Sequence, residues 1–194
     1  MNKISRKQFL TKSSLALGGL SVTPMGRVWS RPVGANEAIR IGLVGLGWKG
    51  SSHVDSFSKL AGVRVVALCD VDQVNLDREV RKFQDSNEAV KPYRDIRHLL
   101  DDKDVDAVVI ATPNHWHALM TIWACQAGKD VYVEKPVCHD IWEGLRMLDV
   151  ERKYGRVIQG GTQNRSNMAF DEGVAFLREG HLGSITGIHG VRYK

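Results

Sequence analysis

A chain of 194 residues, 43% hydrophobic and 25% charged, carries enough apolar material for one large core, or for one domain and part of another. The net charge of +5 suggests an acidic partner only until the charges are located: residues 1–35 hold Lys3, Arg6, Lys7, Lys12, Arg27 and Arg31 and no acid, so six of the 27 basic residues lie there and 21 face 22 acidic ones in the remainder. The body is near neutral, which excludes a nucleic-acid footprint, and the widely spaced Cys69, Cys125 and Cys138 exclude a disulfide framework and read as buried thiols.

Residues 1–35 read as an export leader rather than as fold. A basic start is followed by a weakly apolar, glycine-containing run at 15–22, too short to span a bilayer, and then by small residues suited to cleavage around Val33 and Ala35. The stretch S-R-K-Q-F-L-T-K, residues 5–12, resembles the twin-arginine export signal, with Lys7 where the second arginine usually stands. The expectation is a periplasmic or extracellular protein, exported folded with any nucleotide cofactor already loaded and without a membrane span, or a cytoplasmic one if the leader is not functional.

The body begins with I-R-I-G-L-V-G-L-G-W-K-G, residues 39–50, where an apolar run feeds into Gly45, Gly47 and Gly50. A strand turning into a helix over a dinucleotide pyrophosphate needs glycine at three such places: for the tight turn, for close approach of the anion, and for packing of helix on strand. The helix N-terminus then offers free N–H groups and the positive end of its dipole. Cofactor contact is therefore expected at Gly45, Leu46, Gly47, Trp48, Lys49 and Gly50. Asp70 ends the next apolar run, about 20 residues after the last glycine, where a carboxylate accepts from ribose hydroxyls and repels a 2′-phosphate. The expected cofactor is NAD rather than NADP, and Arg78 stands too far along the next helix to overturn this.

In chain order, a helix is expected over 48–60, a buried strand over 63–69, and a surface helix over 72–84 with Val74, Val80 and Phe83 inward. An extended piece at 90–93 precedes Asp95, an N-cap for a short helix carrying Ile96, Leu99 and Leu100. A strand over 104–113 stops at Pro113, and a helix over 115–127 is closed by Gly128. Strand 131–136, helix 142–154 and strand 156–159 complete an α/β alternation, hence a doubly wound parallel sheet of the Rossmann type. Ligands sit beyond the carboxyl ends of such strands, which gathers the Gly45 turn, Asp70, Thr112, Pro113, Asn114, Glu134, Lys135, Pro136 and Gln163 along one edge. Trp123 and Trp142 read as core, Trp48 and Trp116 as stacking candidates. Residues 36–164 form the dinucleotide-binding domain; residues 165–194, a helix over 168–179 with Phe170, Val174 and Leu177 inward and then a strand over 184–194, read as the start of a truncated α+β second domain.

The motifs G-L-G-W-K-G, C-D-V-D, A-T-P-N-H-W-H, A-G-K-D-V-Y-V-E-K-P and G-G-T-Q-N-R-S, from about residue 38 onward, resemble the Gfo/Idh/MocA family. The resemblance implies an NAD(P)-dependent oxidoreductase of sugars, cyclitols or related polyols, with a Rossmann domain followed by an open-faced sheet domain that covers the crevice and aids homo-oligomerisation. It implies that Lys135, in E-K-P, lies near both nicotinamide and substrate hydroxyl. As an ammonium, Lys135 can donate hydrogen bonds to the hydroxyl oxygen and stabilise a developing alkoxide. His117 either helps bind the nicotinamide ribose or packs against the loop, and His115 is structural; a metal at His115, His117, Cys138 and His139 lacks a familiar ligand spacing. The family's second-domain histidine motif is expected beyond Lys194, and neither His181 nor His189 stands in it. Three functions remain open: a sugar or cyclitol dehydrogenase, an NAD-dependent glycosidase acting by transient oxidation and elimination, and a nucleotide-binding module without catalysis.

Overall fold

A computed structural model describes residues 38–86 and 88–191, so the expected leader lies outside the described residues. Six strands, β1 (Ile39–Val44), β2 (Val63–Cys69), β3 (Lys91–Tyr93), β4 (Ala107–Ile110), β5 (Asp130–Glu134) and β6 (Ile158–Gly161), form one sheet in the order β3-β2-β1-β4-β5-β6. Every pairing is parallel. The order reverses between β1 and β4, so the carboxyl ends of these two strands open the crevice where a doubly wound sheet takes its ligand.

The period of two along each strand divides the core between the faces. Ile41 and Leu43 of β1, Leu68 of β2 and Val109 of β4 pack with Val54, Leu76 and Phe83 of α1 (Trp48–Phe57) and α2 (Gln73–Asp85). Val44, Cys69, Val108, Ile110, Val131 and Val133 point the other way, onto α3 (Ile96–Leu100), α4 (His117–Gln126) and α5 (Ile141–Tyr154). Buried side chains on both faces explain why the strands read as continuous apolar runs.

Local signals set the helix boundaries. Asp72, Asp95 and Asp140 cap α2, α3 and α5, each side chain accepting from a backbone N–H of the first turn. α1 stops at Phe57, short of the expected residue 60, and a 3-10 turn at Asn114–Trp116 precedes α4. β6 begins two residues later than expected because Arg156 and Val157 still belong to the turn: Arg156 Nε donates to the Tyr154 carbonyl and the Val157 N–H to Asp130.

Several burial expectations are corrected. Val74 is exposed at the capped start of α2, and the inward face runs through Leu76, Glu79, Val80 and Phe83. Trp142 is 66% exposed on the first turn of α5, with the Arg146 guanidinium 5.7 Å from its ring centre, whereas Trp123 is half-buried against the core. Cys69 and Cys125 are buried and Cys138 is half-buried; burial pushes the Cys69 thiol up to about 12, leaving it inert as a nucleophile at neutral pH. Helix α6 (Met168–Arg178) forms after a second 3-10 turn, Gln163–Ser166, but Phe170, Val174 and Leu177 are exposed. Residues 184–191 form no strand, since among the described residues no strand pairs with them to take up the backbone hydrogen bonds. Among the described residues no helix is long and apolar enough to cross a membrane.

Candidate functional site

The glycine turn at the end of β1 is shaped by exclusion. Gly45 has φ +83°, and a Cβ there would lie 2.8 Å from the Ala111 and Thr112 backbone. A Cβ on Gly50 would land on the Gly45 carbonyl oxygen, so the turn closes against its own helix only with glycine at both places. Gly47 differs: nothing lies within 4 Å of its would-be Cβ, and it is the N-cap of α1. No side chain caps α1 and no acid stands in its first turn. Its N-terminal N–H groups therefore have no side-chain acceptor of their own, the arrangement that receives a phosphate.

Asp70 closes the turn from the end of β2. Its Oδ2 accepts from the Leu46 N–H at 2.6 Å and its Oδ1 from the Asp72 N–H at 2.8 Å. Carboxylate oxygens have further lone pairs, so both remain available to a ribose. Arg78 is not remote, as its position along α2 suggests: its guanidinium reaches back to donate to the Leu46 carbonyl at 2.6 Å, and also to Asn75 and Glu79 at 2.8 Å. Glu79 is fully buried between α1 and α2, with Lys82 2.8 Å away. Burial pushes its carboxyl up, but hydrogen bonds from Lys82, Arg78 and Ser51 outweigh this and hold it below the usual carboxylate range. Lys82 continues to Asp55 of α1 at 2.9 Å. An ionic network thus braces the glycine-turn helix from beneath.

A cleft of about 730 Å³ opens over this turn, lined by Gly45, Gly47, Asp70, Thr112, Pro113 and Trp116 among others. Asn114, exposed, begins the 3-10 turn at its rim. Trp48 is 92% exposed on the first turn of α1. His115 is exposed beside Trp116.

The second group of expected residues gathers around Glu134 at the end of β5. Its carboxylate is buried; Oε1 lies 2.6 Å from His53 Nε2 and 3.6 Å from Lys49 Nζ and accepts from the Gln163 amide, while Oε2 accepts from the Lys135 N–H at 3.2 Å. The Gln163 amide also donates to the Tyr132 hydroxyl at 3.1 Å. Glu134 and Gln163 are thus engaged with each other, because a buried carboxylate requires donors. Lys49 is shared, its ammonium partly exposed. Lys135 itself is exposed, and among the described residues its ammonium enters no hydrogen bond or ion pair. His117 is 1% exposed with both ring nitrogens at hydrogen-bond distance from backbone carbonyls, the loop-packing arrangement of the two expected for it.

His53 and Tyr132 were missed by sequence reasoning, and Arg78 was named but set too far away. His53 follows Lys49 by four positions on α1, and Tyr132 precedes Glu134 by two on β5, so both spacings put each pair on one face. Burial holds the His53 imidazole below its ordinary value, with Glu134 opposing. The neutral ring therefore donates its Nε2–H to Glu134.

The fit to a dinucleotide is consistent along the whole edge: a bare helix N-terminus with room at Gly47, a carboxylate at the ribose position, and a lysine at the far strand end. The family described as an oxidoreductase family with an NAD-binding Rossmann fold matches residues 39–162. This chain belongs to that family, the Gfo/Idh/MocA oxidoreductases. It is 33% identical over 174 residues to glycosyl hydrolase family 109 protein 1 of Shewanella sp. (strain MR-4), covering 79% of this chain and 38% of that protein. An alpha-N-acetylgalactosaminidase of Shewanella oneidensis is 32% identical with the same coverage. Scyllo-inositol dehydrogenase from Lactobacillus casei, crystallised with bound NAD(H) and scyllo-inositol, superposes with a TM-score of 0.68 at 26% identity, covering 77% of this chain and 43% of that one. The chain thus spans about two fifths of the length of these relatives.

Proposed function

We propose that the protein is an NAD-dependent oxidoreductase that moves a hydride between a hydroxyl-bearing carbon of a sugar or cyclitol and the nicotinamide. The observation that supports this is the exposed Lys135 ammonium at the carboxyl end of β5, on the same sheet edge as the glycine turn and Asp70. When bound, NAD supplies a two-electron acceptor for the hydride. The backbone N–H groups of α1 hold the diphosphate, and Asp70 takes the ribose hydroxyls. Lys135 would donate a hydrogen bond to the substrate oxygen and stabilise the negative charge that grows there as the hydroxyl proton passes to water. Glu134 acts through the backbone, holding the Lys135 N–H while His53 and Gln163 hold Glu134. Export as a folded, cofactor-loaded protein is consistent with the basic first 35 residues.

A second reading is favoured by the sequence relatives named as glycosidases: the same oxidation made transient, acidifying a neighbouring C–H so that the glycosidic group is eliminated as the alcohol, water adds to the resulting unsaturated ketone in its place, and the carbonyl is then reduced again by the hydride it gave up. Both readings share the first step and separate on its balance. The test is a panel of free sugars, cyclitols and aryl glycosides with NAD. Net NADH from free polyols supports oxidation as the outcome; aglycone release without net NADH supports the transient version. Absence of NADH binding sinks both.

A further inference from the structure

The strand order assigns the two ends of a bound dinucleotide. Asp70 stands at the carboxyl end of β2, on one side of the glycine turn, and Glu134 and Lys135 stand at the end of β5, on the other, with β4 between. With the adenosine ribose on Asp70 and the diphosphate on the turn, the nicotinamide falls on the β4–β5 side. α1 follows β1, yet its Lys49 and His53 reach past β4 to the Glu134 carboxylate. Lys49, in the first turn of α1, is therefore held towards the nicotinamide side.

The carboxylate does not need this cation. Glu134 already accepts from His53, from the Gln163 amide and from the Lys135 N–H. Lys49 Nζ lies 3.6 Å from Oε1, beyond hydrogen-bond reach, and its side chain is partly exposed; a pair of this kind contributes little to stability. Nor does the helix favour it, since a cation in the first turn opposes the positive end of the dipole. The ammonium is thus a charge that the fold places at the β5 end without requiring it there.

We propose that Lys49 is a specificity-determining residue for the redox form of the cofactor: its ammonium, held on the nicotinamide side by Glu134, favours NADH over NAD⁺. The oxidised ring carries a positive charge and the reduced ring carries none, so a nearby cation disfavours the oxidised form and leaves the rest of the cofactor untouched. The sign does not depend on the other charges of the site, because removing one ammonium makes the local charge more negative by one unit whatever surrounds it. A site biased in this way draws the hydride onto the cofactor while it is bound. The assignment rests on the reading of the β5 end as the nicotinamide side, and it requires no particular substrate.

The test is Lys49→Met, which keeps the length of the side chain and removes its charge. In the full chain, affinities for NAD⁺, NADH and ADP-ribose are measured by calorimetric titration. The ratio of NAD⁺ to NADH affinity is expected to rise roughly fivefold, the effect of one partly screened charge. ADP-ribose, which carries the diphosphate but no nicotinamide, should keep its affinity within about twofold. Lys49→Arg should retain the wild-type ratio, and Glu134→Gln, which removes the opposite charge, should move it towards NADH. An unchanged ratio in Lys49→Met overturns the assignment, as does a shift of the same sign in both charge-removing variants. Equal losses for all three ligands overturn it as well, since Lys49 would then be a diphosphate contact. Should Lys49→Met fail to fold, the sign of the shift in Glu134→Gln and the ratio in Lys49→Arg decide the matter. A wild-type chain that binds neither redox form overturns the assignment together with the cofactor reading. One that binds both but oxidises no polyol counts against the proposed hydride chemistry alone, and the ratio still judges Lys49.

Discussion

At the glycine turn the geometry is set by side chains that are missing, whereas at the β5 end it is set by polar side chains buried against one another. Gly45 and Gly50 leave no room for a Cβ, and the turn is held by backbone contact between β1, β4 and α1. Glu134, His53, Gln163 and Tyr132 instead trade hydrogen bonds across α1, β5 and the turn after β6. The first device tolerates no added atom; the second tolerates no removed partner. Substitutions of opposite kinds should therefore break the two ends.

The largest effect is expected at Gly50. Gly50→Ala forces a methyl onto the Gly45 carbonyl, and overpacking of this kind costs about 3 kcal/mol. Denaturant unfolding should show that loss together with the loss of NADH binding. Gly47→Ala is the contrast, since its Cβ meets only open space. Its stability should stay within about 0.5 kcal/mol of wild type while NADH affinity drops roughly tenfold, because the methyl occupies the approach of the diphosphate. Equal destabilisation by the two would erase the distinction drawn between them.

At the other end Glu134→Ala is expected to cost about 2 kcal/mol, chiefly the penalty for leaving the His53 N–H buried without an acceptor. Glu134→Gln should be milder, since it keeps one oxygen for His53. His53 adds a pH signature. Its folded value lies below the ordinary one, so the unfolded chain binds the proton more readily. The stabilisation is complete above an ordinary histidine value of about 6.5 and is lost as pH falls from there towards the lower folded value. Thermal midpoints should decline across that window, and His53→Gln should flatten the decline; an unchanged slope would show that other groups cause it.

The same contrast explains what could be read in the amino-acid order. Gly45, Gly47, Gly50 and Asp70 were legible because a local spacing specifies both turn and acid, and the alternation of apolar runs with capped helices specified a parallel sheet. The Glu134 cluster was not, because it joins residues 81 and 29 positions apart whose meeting depends on the folded sheet. Arg78 misled for a related reason: its place along α2 says nothing of a long side chain lying back to Leu46. Trp142 and the apolar residues of α6 misled differently, since hydrophobic spacing predicts a face and not what covers it.

Asp70 belongs to both regimes, a strand-end carboxylate that also holds the turn through the Leu46 N–H. Asp70→Ala should lower NADH affinity about tenfold and narrow the preference for NAD over NADP, as expected for loss of a charged acceptor. Equal wild-type affinity for the two dinucleotides would sink the role given to the carboxylate.

The smallest stability effect is expected at Trp48, which sharpens the comparison because it belongs to neither device. With the side chain 92% exposed, Trp48→Ala removes almost no packing and should change stability by less than about 0.5 kcal/mol. Its place as the first residue of α1, next to the Gly47 N-cap, nevertheless leaves the indole free to stack on a bound ligand. Stacking of that ring on a bound ligand would contribute about 1 kcal/mol, seen as a roughly fivefold change in NADH or substrate affinity. Paired unfolding and NADH titrations separate the two quantities. A loss of stability without a change in affinity would mean that the indole packs on protein, and the glycine turn would then owe part of its shape to a side chain after all.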